Sequence, residues 1–154
     1  MPTLSAVWQR LDSTALEYLT LTETSNTVQI DSVVIGIHED GTPYRLHYQI
    51  DCDAHYQVRQ VDLQLVGREP LRLTTDGKGH WFDAANQPLP HLDGCIDIDI
   101  TATPFTNTLP IRRLNWEVGQ RRTLNMVYFY IPELKFEWDE QEYTYLKQTA
   151  NGSV

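Results

Sequence analysis

The chain has 154 residues, a length that suits one domain with a core large enough to need no covalent staples. Lys and Arg number 12 against 21 Asp and Glu, a formal net charge of −9. A surface that negative repels phosphate backbones, which argues against nucleic-acid binding. No stretch approaches the roughly 20 apolar residues of a membrane-spanning helix.

Met1–Asp12 has no basic segment followed by an apolar run, so no secretory signal is expected. Cys52 and Cys95 sit in apolar, strand-like surroundings. They read as buried free thiols, and the expected compartment is the cytoplasm. Residues 1–154 are expected to form a single domain, frayed over Met1–Thr3 and Gln148–Val154.

Along the chain the dominant period is two. Ser13–Leu19 is a weak helix candidate, but its Tyr and Thr content pulls it toward strand. Asp40-Gly41 forms a hairpin turn between Val33–Ile37 and Thr42–Asp51. Tyr44, Leu46, Tyr48, Ile50 and Cys52 alternate with polar residues, and so do Val61, Leu63 and Leu65. Each such run has one dry and one wet face.

Asp76-Gly77 turns Leu71–Thr75 into His80–Asp83, and Asp93-Gly94 opens a strand around Cys95. Thr106–Leu114 is the best helix candidate, capped by Thr106 or Asn107, with Pro110 in its first turn. Val118-Gly119 then separates Leu114–Glu117 from Thr123–Ile131, and Leu134, Phe136 and Trp138 alternate in a last strand. The fold class is mainly β: an antiparallel, many-stranded curled sheet or β-barrel with one short helix.

The chemistry-bearing residues are few. No Gly-x-Ser-x-Gly elbow occurs, and Asp76-Gly77-Lys78-Gly79 precedes a strand, so it reads as a turn and not a phosphate cradle. His38, His47, His55, His80 and His91 lack metal-ligand spacing, so neither metal nor cofactor is expected. Asp97 and Asp99 fall on one face of a strand, roughly 7 Å apart. They are either an ordinary wet face, an acidic pair in a polar pocket, or a glycosidase-type acid and base.

Arg59 shares the parity of Val61, Leu63 and Leu65. It either snorkels from a strand end or enters an internal cavity, where Asp97 or Asp99 would pair it. Arg112 and Arg113 suit the C-terminal end of a short helix, or an anion. Tyr128, Phe129 and Tyr130 put rings on both faces of one strand, as in a sheet covered on both sides or one lining a lipid-accommodating cavity.

The run Gly94-Cys95-Ile96-Asp97-Ile98-Asp99, then Thr103-Pro104-Phe105-Thr106-Asn107-Thr108-Leu109-Pro110-Ile111-Arg112-Arg113-Leu114, resembles the signature of a bacterial glycolipid-binding family. Weaker echoes are Trp8, Gly36, Pro43–Tyr48, Asp53–Arg59, Gly79 with Trp81, and Tyr143-Thr144. Tyr56 stands where that pattern has Trp. The resemblance implies a barrel-like sheet with one helix, similar to the periplasmic carriers that hold acyl chains in a half-open barrel. It implies non-enzymatic binding of a lipid or glycolipid, with Arg59, Asp97, Asp99, Thr106, Asn107, Arg112 and Arg113 as ligand-binding candidates. Two other functions are weighed against this one. One is a small-carbohydrate hydrolase or isomerase using Asp97 and Asp99. The other is a protein-interaction domain in which the run is purely structural.

Overall fold

The computed structural model describes residues 3–11, 14–149 and 152–153. Alternating apolar residues build strands β1 (Thr3–Gln9), β2 (Ala15–Glu23), β3 (Thr27–Ile37), β4 (Pro43–Asp53), β5 (Val58–Leu65), β6 (Leu71–Thr75) and β7 (Trp81–Phe82). They pair antiparallel in chain order, with β1 and β7 as the two edges. The large sheet is therefore curled but not closed into a barrel. Turns fall at Asp40-Gly41 and Asp76-Gly77, where each glycine has the positive φ that the turn requires.

A second sheet has the order β10-β9-β8, built from β8 (Asp97–Ile100), β9 (Arg121–Tyr130) and β10 (Lys135–Thr144). The expected antiparallel pairing holds through the large sheet and for β9 with β10, and one pair departs from it: β8 runs parallel to β9. Parallel neighbours need a long crossover. The crossover holds a 3-10 turn, Phe105–Asn107, leading into helix α1 (Thr108–Arg113). The segment expected as a strand at Leu114–Glu117 belongs to this crossover and is irregular, with no strand pairing.

The weak helix at Ser13–Leu19 is instead part of β2, Ser13 itself lying outside the described residues. At the termini expected to fray, Thr3 already belongs to β1, and β11 (Gln148–Thr149) pairs with β12 (Gly152–Ser153). Met1, Pro2, Ala150, Asn151 and Val154 lie outside the described residues.

One apolar core joins the two sheets. Leu46, Ile50, Leu63, Leu73 and Trp81 of the large sheet pack with Ile98, Ile100, Val127 and Phe129 of the small one. Cys52 and Cys95 are buried there as free thiols. Burial pushes both thiols up to about 12, with nearby carboxylates adding to it, so neither is a reactive thiolate. Trp138, expected on a dry face, is 42% exposed, because β10 is an edge strand with a neighbour on one side only.

Candidate functional site

The run from Gly94 to Leu114 folds as a strand, a turn and a helix folded back on the strand. Its start is fixed by backbone contact: Gly94 N–H donates to Gly79 O at 2.9 Å, and a Cβ on Gly79 would lie 3.1 Å from the Gly94 backbone. Trp81 Nε1 donates to Cys95 O at 2.9 Å. Thr103 Oγ1 accepts from Phe105 N at 3.0 Å and so opens the 3-10 turn. The caps expected from Thr106 and Asn107 do not form. Both side chains are used elsewhere.

The β8 face opposite the core carries Asp97 and Asp99, and α1 covers it. Asp97 is 1% exposed and accepts a fork from Arg113, Nε to Oδ1 at 3.0 Å and Nη2 to Oδ2 at 2.5 Å. Asp99 accepts from Thr106 Oγ1 at 2.9 Å and from Gln141 Nε2 at 2.8 Å. Tyr143 donates its hydroxyl to Asn107 Oδ1, tying β10 to the start of the helix. Burial and the two aspartates raise the Tyr143 phenol well above its ordinary range. The acids therefore brace strand to helix. Only Asp99 lines a cleft, so the two carboxylates do not face one open site as a matched acid and base.

A second polar cluster, which the sequence reading does not identify, lies inside the large sheet. Glu17 is 2% exposed. It accepts from Tyr48 OH at 2.6 Å and Ser32 Oγ at 2.7 Å on one oxygen, and from Trp8 Nε1 at 2.5 Å on the other. Tyr48 also lies 3.3 Å from Thr103 Oγ1, so the cluster reaches across to the crossover. Burial and the Glu17 charge drive the Tyr48 phenol far above its usual range. The missed signal is an acid within Ala15-Leu16-Glu17-Tyr18-Leu19, where both parities are apolar and the dry face is ambiguous.

Trp8 stands where two clefts meet along the seam between edge strand β1 and the crossover. On one side is an apolar cleft of about 500 Å³. Leu4, Leu19 and Leu21 form its sheet wall and Phe105 and Thr108 its helical wall. Glu23, Tyr56 and Arg112 close its far end. There Tyr56 donates its hydroxyl to Glu23, and the Arg112 guanidinium sits 5.6 Å above the Tyr56 ring. Burial first, then Glu23, pushes the Tyr56 phenol up to about 12. On the other side of Trp8 is a basin of about 800 Å³ that Asp99, Asn107, Tyr44 and Tyr128 help to line.

The candidate residues thus separate. Asp99, Asn107 and Arg112 reach the clefts, while Asp97, Thr106 and Arg113 form the brace beneath them. Arg59 hydrogen-bonds to none of these. Cys52 pairs with Val58 and Asp51 with Gln60, so Arg59 is the extra residue of a β-bulge. The bulge reverses the parity that put Arg59 on the dry face. Its guanidinium binds Asp53 at 2.7 Å and Asp76 O at 2.5 Å, and does not pair with Asp97 or Asp99. Among the described residues, no three His, Cys, Asp or Glu side chains gather as a metal site.

The model of the family described as "Putative glycolipid-binding" matches residues 5–154, and the chain belongs to that family. The fold is similar to the crystal structure of a DUF1089 family protein from Pseudomonas aeruginosa, at 35% identity and a TM-score of 0.77. That likeness covers 96% of this chain and 79% of the other. No curated protein matches the chain.

Proposed function

We propose that the protein binds, without chemically transforming, a single-chain lipid or glycolipid laid along the seam between β1 and the crossover. The observation that carries this reading is the apolar cleft of about 500 Å³ beside the unpaired edge of the curled sheet. A volume in that range suits one alkyl chain. Leu19, Leu21 and Phe105 supply the apolar walls. Arg112 laid over Tyr56 closes the end. Asp99 and Asn107, beyond Trp8, offer hydrogen bonds to a head group. Arg113, Asp97 and Thr106 hold that wall in place. The proposed compartment is the cytoplasm, a reading supported by two buried free thiols.

Native mass spectrometry of protein purified gently from its own host tests this. The expected result is a co-purifying lipid that is lost in a Leu21→Trp variant, whose larger ring fills the half-buried cleft wall. Repeated preparations without bound lipid, together with no uptake of added alkyl amphiphiles, would sink the proposal.

A further inference from the structure

We infer that the outer face of the large sheet over β1–β3, the side turned away from the core, docks a second copy of this chain. The two copies meet about a two-fold axis that sets Arg45 of each against Asp31 of the other.

Strand register places the surface. Val7 stands opposite Tyr18, and Tyr18 opposite Val33. Leu16 stands opposite Ile35, and Ile37 follows on the same face. All are on the outward parity, because the alternating neighbours Glu17, Leu19 and Val34 are the buried ones. Val7, Leu16, Tyr18, Ile35 and Ile37 are each about half exposed or more. Among the described residues, no charged side chain interrupts them on these strands.

The rest of the same face is different. On β4–β6 it carries Gln49, Asp51, Asp62 and Arg72, all paired in register with one another or with β3. The outer face is thus divided into an apolar and a polar half. In a chain of net charge −9, the apolar half is where two like-charged copies can touch. A contiguous patch of this kind measures on the order of 500 Å², the upper range for a monomer. Two pressed together remove on the order of 1,000 Å², the least that a specific interface needs, so a weak dimer is expected.

Charges at the two ends of the patch select the partner and its direction. Arg45 stands beside Ile35 at one end, and Asp31 lies toward the other. Arg45 is exposed, and its guanidinium has no partner among the described residues. Asp31 Oδ2 accepts from Gln49 Nε2 at 2.7 Å and lies 2.9 Å from His47 Nε2. Its Oδ1 has no hydrogen bond among the described residues and is free to accept. The two groups are four positions apart in register, roughly 13 Å, too far to pair within one copy.

A two-fold axis lying across the strands between Val33 and Ile35 reverses the strand direction of the second copy. It lays Leu16 and Ile35 on Tyr18 and Val33 of that copy, as in the two packed sheets of a sandwich. It also carries each Arg45 to the end that holds the other Asp31. The contact is self-complementary, so the ion pair forms twice. An unrelated partner has to match both ends, whereas a second copy does so by symmetry.

Sedimentation velocity of the full chain between about 5 and 500 μM tests this. The expected result is a monomer–dimer equilibrium with a Kd in the micromolar range. Tyr18→Glu and Ile35→Glu are each expected to leave a monomer. Both positions are exposed, and thermal unfolding checks that the fold holds. Arg45→Asp and Asp31→Arg should each weaken the dimer about tenfold, and the two combined should return it to within about threefold of wild type. This exchange decides the matter should either glutamate variant not fold. A monomer at every concentration overturns the inference, and one that floats with zwitterionic vesicles through Tyr18 and Ile35 reassigns the face to lipid. A dimer that survives both glutamate variants, or a combined charge variant no tighter than its singles, overturns it too.

Discussion

Arg113 closes on Asp97 side-on, one guanidinium nitrogen to each carboxylate oxygen, at 3.0 and 2.5 Å. The acid is essentially sealed from solvent and the arginine side chain is 18% exposed. The planar fork fits the carboxylate in one orientation only. It therefore sets how the six-residue helix α1 lies on β8. A helix that short has little stability of its own. Its position, and with it the helical wall of the apolar cleft, depends on this pair.

Arg113→Met is accordingly expected to destabilise the fold by about 3–5 kcal/mol, because it leaves Asp97 buried and unpaired. Arg113→Met combined with Asp97→Leu should recover a large part of that loss, since both charges are then gone. Urea denaturation of the two variants decides the matter. If the single variant loses less than about 1 kcal/mol, the pair is not the brace described.

Glu17 gives the second prediction. Tyr48→Phe removes one of its three donors and leaves the ring in the core. The expected cost is about 1–3 kcal/mol, from a buried acceptor short of one hydrogen bond. Trp8 hangs from the other oxygen of the same carboxylate, so Glu17→Ala should also shift Trp8 emission, measured with the other three tryptophans replaced. Unchanged emission would mean that Glu17 does not hold the indole.

These two clusters mark how far the sequence alone reaches. The strand pattern was legible wherever one parity was apolar and the other polar, as over Tyr44–Cys52 and Val61–Leu65. The helix at Thr106–Leu114 was legible from Pro110 and the two terminal arginines. Asp97 and Asp99 were legible as a same-face pair. What the pattern could not contain was the neighbour. Whether that face was wet depended on α1 folding back, which is a tertiary fact. Arg59 leaves the dry parity because a bulge adds one residue, which nothing in Tyr56–Gln60 announces, and it lies half-exposed at the strand end, as the first of its two alternatives expected. In β2 and β3 the outward positions are apolar too: Leu16, Tyr18 and Ile35 are all about half exposed or more. Period two therefore gave no means of picking Glu17 as the buried member.

Gly36 connects the family-like residues to the basin. Gly36→Ala puts a methyl where the end of the Tyr44 ring lies, so the ring must swing away. Tyr44 is half-buried at the rim, and a modest stability loss of about 1 kcal/mol is expected. Affinity for n-decyl maltoside, a single-chain glycolipid probe, should fall more than stability does, because one aromatic wall of the basin has moved. Calorimetry and thermal unfolding on the same preparation separate the two effects. A variant that binds as wild type would remove Tyr44 from the proposed site.

The turn at Asp76-Gly77 predicts a pH dependence. His80 Nδ1 lies 2.7 Å from Asp76 Oδ2. That hydrogen bond, then the Asp76 charge, raises His80 above its ordinary 6.5. Asp76 is lowered to about 2, chiefly by His80 and then by the Lys78 N–H. A raised histidine contributes fully below 6.5, and the contribution is lost as pH rises through its folded value. A lowered aspartate contributes above its ordinary 3.8 and is lost as pH falls through about 2. The contact should thus be complete between those ordinary values. NMR titration is expected to place His80 above its ordinary 6.5, and Asp76→Asn should return it toward that value. Both sites are exposed, so salt should shrink the difference.

Arg59 and Arg112 allow a direct contrast. Arg59 fastens the bulge to the β6–β7 turn, with its guanidinium against Gly77 so closely that a Cβ there would overlap it. Arg59→Ala should loosen that turn by no more than about 1 kcal/mol, the scale of an exposed ion pair, and leave decyl maltoside binding unchanged. Arg112 lies over Tyr56 at the closed end of the apolar cleft. Arg112→Ala uncovers that end, so affinity should drop severalfold, and it removes a cation–π contact, so stability should fall by about 0.5–1 kcal/mol. The opposite result, with Arg59→Ala abolishing binding and Arg112→Ala harmless, would move the ligand from the β1 seam to the bulged end of the large sheet.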